Sequence, residues 1–406
     1  MISPARLTRR GIVVAVTAAV VATLAPGTPA NAADQRFEYQ IRPGTAQWRA
    51  FGSHQEMVDA VQMPPALAQR LRTTQLVDAV LAYPLLPDAL AFNSVQQGLD
   101  VVARRFSGLG ELLTRPDAGQ VLLQRYRDLD VAVPADETLA QAGDRALAAW
   151  KLESILAQPT VLATLDHQES TALLRLGLAK HRAKRADAAT YGEAGLEPTA
   201  VLLGRALALR EGWNWSQSHL LREGVAVHPG AVSATVTAVR QHLADPEVTH
   251  ELHDGFGTLD YASTVYTPYG TPVSVITMTS ELTSAQITSY NSYVASNYPS
   301  ATRERNASRK YNCHSYAWYS TSSSNDRWMN TPGDDKYWLD GSYTRWQVPY
   351  IWFANMKISY SSDDHSGIRV GTGDYVRSKW GQLPLMYHYW SYSPYSSATT
   401  NSYFPS

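Results

Sequence analysis

Aromatic residues are distributed unevenly along this 406-residue chain, and their distribution limits what the chain can fold into. Only four of the 23 tyrosines precede residue 230, whereas seven of the 11 tryptophans lie beyond residue 300. Before about residue 224, apolar residues recur at helical spacing and prolines separate the segments. Later runs are short, alternating and rich in Tyr, Trp, Ser, Thr and Gly, which is typical of strands and long loops. They predict a hairpin around Pro268-Tyr269-Gly270 and a helix that begins after Thr283 or Ser284. We predict an α+β protein with an all-α domain over 33–228, a linker over 229–254 and an α+β domain over 255–406.

The helical part is predicted to be a bundle of six to eight helices. Ser94 with Gln97, and Asp166 with Glu169, have the spacing of capping boxes at helix starts. Pro198 is suited to the first turn of a helix that Gly212 could end. No catalytic or phosphate-binding motif stands out in this half of the sequence, so we interpret it mainly as packed helices with a solvated surface.

The first residues have the pattern of an export signal. Three arginines within the first ten residues precede an apolar run over 12–24, and Ala30-Asn31-Ala32 is suited to cleavage. The run is too short for a spanning helix, so we expect no integral membrane span in the mature chain. We predict a signal peptide over 1–32 and a secreted or cell-wall associated protein. Arg9-Arg10 also fits a twin-arginine signal, so both the Tat and the Sec route remain open.

Charge and residue spacing argue against several classes of partner. The 35 Lys and Arg residues nearly balance the 36 Asp and Glu residues, so the total charge indicates no nucleic-acid partner. There is one cysteine and no histidine pair with ligand spacing, and we expect neither a metal nor another cofactor. The acidic residues Asp326, Asp334, Asp335 and Asp340 could hold calcium, but their spacing departs from an EF-hand loop and favours a solvated loop.

The single cysteine, Cys313, is the strongest candidate for chemistry. It has no partner for an intramolecular disulfide, and a lone thiol with a distant histidine in an exported chain is typical of a catalytic nucleophile. Asn312 can cap a helix that begins at the thiol, where unsatisfied N–H groups favour the thiolate. The alternative is that Cys313 is a small, inert, buried residue.

His365 is predicted to be the base that accepts the thiol proton. Residues 365–370 have the pattern of a strand, 371–374 that of a turn and 375–381 that of the returning strand. His314 points away from the thiol around a helix, so we interpret it as a wall or a cap. His388 is the reserve candidate for the base.

The third catalytic residue depends on the register of this hairpin. With a four-residue loop, His365 faces Trp380 and shares its face with Ser378 and Gln382. With one loop residue fewer, His365 faces Lys379, which cannot accept a proton from the imidazole. We therefore predict the first register and Gln382 as the residue that orients His365, with Ser378 as the alternative.

Residues 255–395 resemble the NlpC/P60 and CHAP branch of the papain-like cysteine peptidases and amidases. The resemblance is carried by Cys313 at the start of an aromatic helix and by the His365 hairpin. It implies a papain-like second domain in which Cys313 attacks a carbonyl and His365 takes and returns the proton. Many enzymes of this branch cleave bonds in bacterial cell wall, so the resemblance also implies a cell-wall peptide or peptidoglycan substrate.

Two functions remain open at this point. The first is a secreted thiol hydrolase that cleaves amide or peptide bonds, with acyl transfer as a variant. Its oxyanion would be held by the Cys313 N–H and by a side chain from Tyr311, Asn306 or Asn312. The second is a non-catalytic cell-wall or glycan binding protein on a papain-like scaffold, whose many aromatic residues contact sugar.

Overall fold

The helical first part of the chain is built from short helices with side-chain caps. A computed structural model describes residues 37–224, 230–244, 260–347, 353, 355–395 and 399–406. The predicted signal peptide lies outside these residues, as does the predicted linker beyond residue 244. The helices before residue 245 are α1 (Ala46–Arg49), α2 (His54–Ala60), α3 (Pro65–Arg70), α4 (Thr73–Leu81), a 3-10 helix (Leu86–Ala91), α5 (Val95–Arg105), α6 (Ser107–Leu112), α7 (Ala118–Asp128), α8 (Leu139–Leu156), α9 (Pro159–Leu162), α10 (His167–Ala186), α11 (Gly192–Glu211), α12 (His219–Glu223) and α13 (Ala231–His242).

The helix starts predicted at Ser94 and Asp166 are confirmed, but the number of helices was underestimated. Asp166 and Glu169 form a complete capping box at the start of α10. Ser94 Oγ accepts a hydrogen bond from Gln97 N at the start of α5, and the Gln97 side chain accepts one from Asn93 N. The described part of residues 53–224 contains eleven α-helices and one 3-10 helix, because proline and extended cap residues divide long apolar stretches into short helices.

The predicted position of Pro198 was wrong. Helix α11 begins at Gly192, so Pro198 lies inside the helix rather than in its first turn. Its first turn lies near the second part of the chain, where Gln286 Nε2 donates a hydrogen bond to Tyr191 O. Gly212, with a φ of 67°, ends the helix as predicted, because glycine adopts the left-handed conformation without a steric penalty.

The second part is dominated by antiparallel strands. Within the described residues, one sheet has the strand order β1-β2-β4 and a larger one has the order β3-β9-β8-β7-β6-β10-β5. The strands are β1 (Tyr261–Tyr266), β2 (Pro272–Thr277), β3 (Thr302–Arg305), β4 (Arg327–Trp328), β5 (Tyr343–Arg345), β6 (Lys357–Tyr360), β7 (Ser366–Arg369), β8 (Tyr375–Lys379), β9 (Leu385–Tyr389) and β10 (Thr400–Pro405). The helices here are α14 (Ser284–Asn297), a π-helix (Ser315–Tyr319) and α15 (Lys336–Leu339).

Local signals in this part of the sequence predicted several elements correctly. β1 and β2 form an antiparallel hairpin whose turn is closed by a hydrogen bond from Thr267 N to Thr271 O. Gly270 adopts a φ of 88° in this turn. Thr283 caps α14 with its side chain, as the sequence indicated.

The helices and the sheets share one hydrophobic core, and the described residues form one compact unit. Trp48 Nε1 donates a hydrogen bond to Asn297 O at 2.8 Å. The buried carboxylate of Asp88 accepts hydrogen bonds from the hydroxyls of Tyr293 and Tyr298. The prediction of a helical part followed by a mixed α+β part is confirmed. None of the helices described here combines the length and the hydropathy needed to cross a bilayer.

Part of the predicted linker belongs to the helical body. Helix α13, which falls within 229–254, packs against α11 and buries Val236 and Val239. Gly204 of α11 lies beneath this contact, since a β-carbon there would come within 2.7 Å of Thr235. The boundary between the two predicted domains remains a prediction.

Candidate functional site

Cys313 begins a short helical segment whose start is held by Asn312. The Asn312 Oδ1 atom accepts hydrogen bonds from Ser315 N at 3.2 Å and from Met329 N at 3.1 Å. Its Nδ2 atom donates to Met329 O at 2.6 Å. The predicted cap is therefore confirmed, and the same side chain ties the segment to the strand region of Trp328. The segment continues as the π-helix, which packs on β6, β7 and β8.

The thiol of Cys313 lies inside the protein. The residue is only 1% exposed, and its side chain makes no disulfide. Cys313 contributes to raising the pKa values of Tyr360 and Tyr395, although burial is the main cause for both hydroxyls. The thiol therefore shares a buried environment with these two rings.

His314 forms a buried ion pair with Asp334. Its Nδ1 atom lies 2.8 Å from Oδ2 of Asp334 and 2.9 Å from Oγ of Ser366, which also accepts a hydrogen bond from Trp318 Nε1. Burial alone would lower the pKa of His314, but the Asp334 carboxylate and the adjacent Cys313 thiol outweigh it and raise the pKa well above 6.5. His314 is thus an imidazole with a carboxylate partner beside the thiol, whereas the sequence predicted only a wall or a cap.

The other ring nitrogen of His314 faces the helical part of the chain. Nε2 lies 3.3 Å from Asn93 Nδ2, while Asn93 Oδ1 accepts a hydrogen bond from Asn312 Nδ2 at 3.0 Å. Because the backbone partners of Asn312 determine the orientation of both amides, Asn93 presents its NH₂ group to Nε2. In this arrangement Nδ1 carries a proton that faces Asp334, whereas the Asn93 NH₂ group opposes the second proton on Nε2 that the Asp334 carboxylate favours.

His365 is a buried histidine with no polar partner. It is 0% exposed, and among the described residues neither ring nitrogen makes a hydrogen bond. Its ring stacks on Tyr395 with centroids 3.6 Å apart and planes 11° apart, and it meets the edge of Tyr360. Burial, together with His388 and His314, lowers its pKa well below 6.5, so this imidazole is neutral.

The hairpin after His365 has the predicted register. Val370 N donates a hydrogen bond to Tyr375 O, and Ile368 pairs with Arg377, which is the register with a four-residue loop. The predicted third residue is not brought to the imidazole, because β8 ends at Lys379 and the chain turns at Gly381, whose φ is 49°.

Both candidates for the third residue, Gln382 and its alternative Ser378, have other partners. Gln382 lies in this turn, where its backbone N–H donates a hydrogen bond to Leu90 O. Its side chain makes no hydrogen bond with either ring nitrogen of His365. Ser378 Oγ instead lies 2.7 Å from Nε2 of His388. The prediction that Gln382 shares a face with His365 assumed that the strand continues past Lys379, whereas the chain turns there.

His388, the reserve base, has partners for both nitrogens. Nδ1 donates to Tyr389 O at 2.8 Å, and Nε2 accepts from the Ser378 hydroxyl. Burial lowers its pKa to about 4. A neutral and fully hydrogen-bonded His388 is well suited to a structural role.

Lys379 is a buried amine near the thiol that the sequence did not single out. Its Nζ atom donates hydrogen bonds to Ser308 O, Gly381 O and Leu383 O. Burial lowers its pKa to about 7, while the Cys313 thiol acts in the opposite direction. Lys379 therefore lies near enough to Cys313 to interact with it electrostatically, and its hydrogen bonds to Gly381 O and Leu383 O hold the turn after β8.

The acidic residues considered for calcium are only partly brought together. Oxygen atoms of Asp334, Asp335 and Asp363 lie within 4.8 Å of one another and could hold a cation. Asp326 instead pairs with Arg327, and Asp340 accepts hydrogen bonds from Thr267 and from Ser342 N. Because Oδ2 of Asp334 pairs with Nδ1 of His314, this carboxylate is primarily part of the thiol site.

The candidate oxyanion donors differ in position. Tyr311 OH accepts a hydrogen bond from Arg305, and Asn306 Oδ1 accepts one from Asn291 Nδ2. Asn312 Nδ2 lies between Met329 O and Asn93 Oδ1, next to the start of the thiol helix. Of these three side chains, Asn312 is the one whose N–H donor, Nδ2, is hydrogen-bonded to a side-chain amide oxygen, that of Asn93.

The aromatic residues divide between core and surface. Trp318, Trp328 and Trp380 are buried in the core rather than lining an open cleft. Exposed tyrosines lie instead on the β1–β2 hairpin, with Tyr266 and Tyr269, and on the β8–β9 hairpin, where Tyr375 stacks on Tyr387 with centroids 5.0 Å apart. Trp352, another of the tryptophans in this part, lies outside the described residues.

Sequence reasoning missed Asp334 and Asn93 as members of this site. Asp334 follows Cys313 by 21 residues in a loop, and Asn93 belongs to the helical part, so spacing alone does not link either residue to the thiol. The adjacency of Cys313 and His314 was the available signal, but it was set aside on helix geometry.

Comparisons of the chain with protein-family models, with curated proteins and with solved structures found no match.

Proposed function

We propose that this chain is a cysteine-dependent hydrolase of amide or peptide bonds, with a papain-like arrangement of its second part. One observation carries the proposal: Cys313 lies in the same buried cluster as the His314–Asp334 pair and adjoins Tyr395, the ring that stacks on His365. Within the described residues the ring nitrogens of His365 make no hydrogen bond. A buried imidazole without hydrogen bonds costs on the order of 1–3 kcal/mol per unmet group, so its presence calls for a functional explanation.

The two imidazoles suit different roles. His314 has its pKa raised by Asp334 and Cys313, so it can hold positive charge next to a thiolate. His365 is neutral, and within the described residues its ring nitrogens make no hydrogen bond, so they are open to a proton that they could return to a leaving amine, although the burial that lowers its pKa opposes the charged form. Environments that move two histidine pKa values in opposite directions are a pattern of acid–base sites. Cys313 and His365 thus keep the roles predicted for them. We assign to His314, paired with Asp334, the role of a positive charge that stabilises the thiolate.

The reaction would proceed as acyl transfer. His365 takes the proton of the Cys313 thiol, and the thiolate forms a bond to the substrate carbonyl carbon. The tetrahedral intermediate breaks its C–N bond and expels an amine that takes this proton from His365, and water then hydrolyses the thioester to release the acid and the thiol. Asn312 Nδ2 and the Cys313 N–H are the donors proposed for the oxyanion. Cell-wall peptides remain the proposed substrate and export the proposed location, on the basis of the sequence resemblance and the N-terminal pattern.

The test is turnover of purified cell-wall peptides by the full chain. New amine groups and product masses should appear with the wild type and be absent with Cys313→Ala, whose fold is checked by circular dichroism. His365→Ala should reduce turnover by at least about 100-fold, the usual range for loss of a general base. Equal turnover by wild type and Cys313→Ala would remove the thiol from the mechanism.

A second function is favoured by the tyrosines of the β8–β9 hairpin. Tyr375 and Tyr389 are exposed, and Tyr375 stacks on Tyr387, which forms a surface suited to contact with sugar rings. Retention of the chain on insoluble peptidoglycan, reduced by Tyr375→Ala and unaffected by Cys313→Ala, would support a binding protein.

A further inference from the structure

The helical part of the chain lies directly over the thiol site. Residues 88–93, which we call the covering segment, comprise most of the 3-10 helix and the extended residues before α5. All six residues are buried, and they belong to the half of the chain in which the sequence showed no chemistry. The contacts of this segment converge on the residues that surround Cys313.

Asn93 occupies the polar groups that an amide substrate would need. Its carboxamide oxygen accepts a hydrogen bond from Asn312 Nδ2, the proposed oxyanion donor, and its NH₂ group faces Nε2 of His314. An amide bond that enters the site would place an oxygen on a donor and a nitrogen near an imidazole in the same way. The backbone oxygen of Asn93 also accepts a hydrogen bond from Trp328 Nε1, which anchors the segment.

The rest of the segment closes the side of the site near His365. Tyr395, which stacks on His365, donates its hydroxyl hydrogen to Ala91 O and packs edge-on against Phe92. Gly381 allows an equally close approach, because a β-carbon there would come within 2.4 Å of Leu90 O. Substrate therefore cannot reach the buried thiol while the segment is in place.

We propose that the covering segment keeps the thiol site in a closed, latent state and must be displaced before substrate binds; this inference rests on the proposed hydrolase function. The segment is held by polar contacts of Asp88, Leu90, Ala91 and Asn93 and by its apolar side chains in the shared core. It therefore opens only by local unfolding, which a 3-10 helix favours because its hydrogen-bond geometry is weaker than that of an α-helix. The Asn93 NH₂ group also opposes the protonation of Nε2 that Asp334 favours, so release of the segment relieves an electrostatic conflict.

The test is the rate at which iodoacetamide alkylates Cys313 in the full native chain, followed by mass spectrometry. The wild type should react at least about 100-fold more slowly than a short peptide with the same residues around its cysteine, because labelling requires opening. Asn93→Ala removes the contacts to His314 and Asn312, and Tyr395→Phe removes the hydroxyl bond to Ala91 but keeps the ring on His365. Each variant should react about fivefold faster than the wild type, the effect of losing roughly one hydrogen bond.

A matched control separates local opening from general destabilisation. Gln286→Ala removes another buried hydrogen bond between the two parts of the chain, the one to Tyr191 O, together with the bond that Oε1 accepts from Thr283 N at the start of α14. Its labelling rate should equal that of the wild type. The proposal is overturned if the wild type reacts at the peptide rate, if neither covering-segment variant reacts faster, or if Gln286→Ala accelerates labelling as much as they do.

The labelling and turnover experiments can fail independently. Faster labelling of Asn93→Ala without turnover of any cell-wall peptide would retain the covering segment and reject the hydrolase. Turnover by a wild type whose thiol reacts at the peptide rate would retain the hydrolase and reject the covering segment.

Discussion

His314 and Asp334 form a fully buried ion pair, with Nδ1 and Oδ2 2.8 Å apart, immediately beside the only cysteine of the chain. Two buried opposite charges are stable only while both are present, since removing one leaves the other without compensation in a medium of low polarity. The pair therefore links the stability of the second part to the electrostatics of the thiol.

Replacement of Asp334 tests this link. Asp334→Asn should lower the free energy of unfolding by about 3 kcal/mol, because it removes one partner of a buried pair, and should lower the pKa of His314. Urea denaturation measures the first effect, and a histidine NMR titration measures the second. Asp326→Asn, whose carboxylate pairs with Arg327 nearer the surface, should cost less than about 1 kcal/mol. Similar losses for both variants would contradict a special role for the pair.

Replacement of His365 should separate stability from activity. His365→Phe keeps an aromatic ring against Tyr395 and removes two buried nitrogens that lack partners, so we expect unchanged or higher stability, by up to about 1 kcal/mol. Turnover should be lost. His388→Phe removes two satisfied hydrogen bonds and should destabilise the protein by about 2 kcal/mol. A destabilised His365→Phe protein would indicate that the imidazole serves the fold.

Histidine burial predicts a loss of stability in acid. The pKa of His388 is about 4 in the folded chain against an ordinary value of 6.5, because burial disfavours its charged form. Between these values the unfolded chain binds more protons than the folded chain, so the contribution is full above pH 6.5 and is lost as the pH falls toward 4. His388 alone accounts for about 3 kcal/mol at most, and the lowered pKa of His365 acts in the same direction. His388→Gln should flatten the acid side of a stability–pH curve measured by urea denaturation; an unchanged slope would contradict this origin.

Arg309 should couple the unfolding of the helical part to that of the second part. Its guanidinium is buried and pairs with Glu197 of α11 at 2.7 Å and with Asp260 at 3.1 Å. Arg309→Leu removes the cation that two buried carboxylates share, so we expect a loss of about 3–5 kcal/mol. Circular dichroism in the far ultraviolet, which follows the helices, and tryptophan fluorescence, which follows mainly the second part, should give coincident wild-type transitions. Arg345→Leu, at an exposed site, is the control and should change stability little.

Local signals in the sequence were sufficient for many elements of the fold. The Thr283 and Asp166 caps, the Gly270 turn and the register of the His365 hairpin depend on residues within a few positions of one another, and each was predicted correctly. Asn312 as the cap of the thiol helix belongs to the same class. Short-range hydrogen bonds and backbone preferences determine such features, so the sequence carries them directly.

Only the tertiary structure decided how the site is assembled. His314 received its carboxylate from a loop 20 residues away, and Asn93 arrived from the helical part, 221 residues before His314. Gln382 was lost from the site because the chain turns at Gly381 to meet Leu90, a contact between distant segments. The sequence by itself determined which residue types could do thiol chemistry and where helices and strands begin. Long-range packing determined which of them meet, because burial and the energy of satisfying buried polar groups depend on neighbours that are distant in the chain.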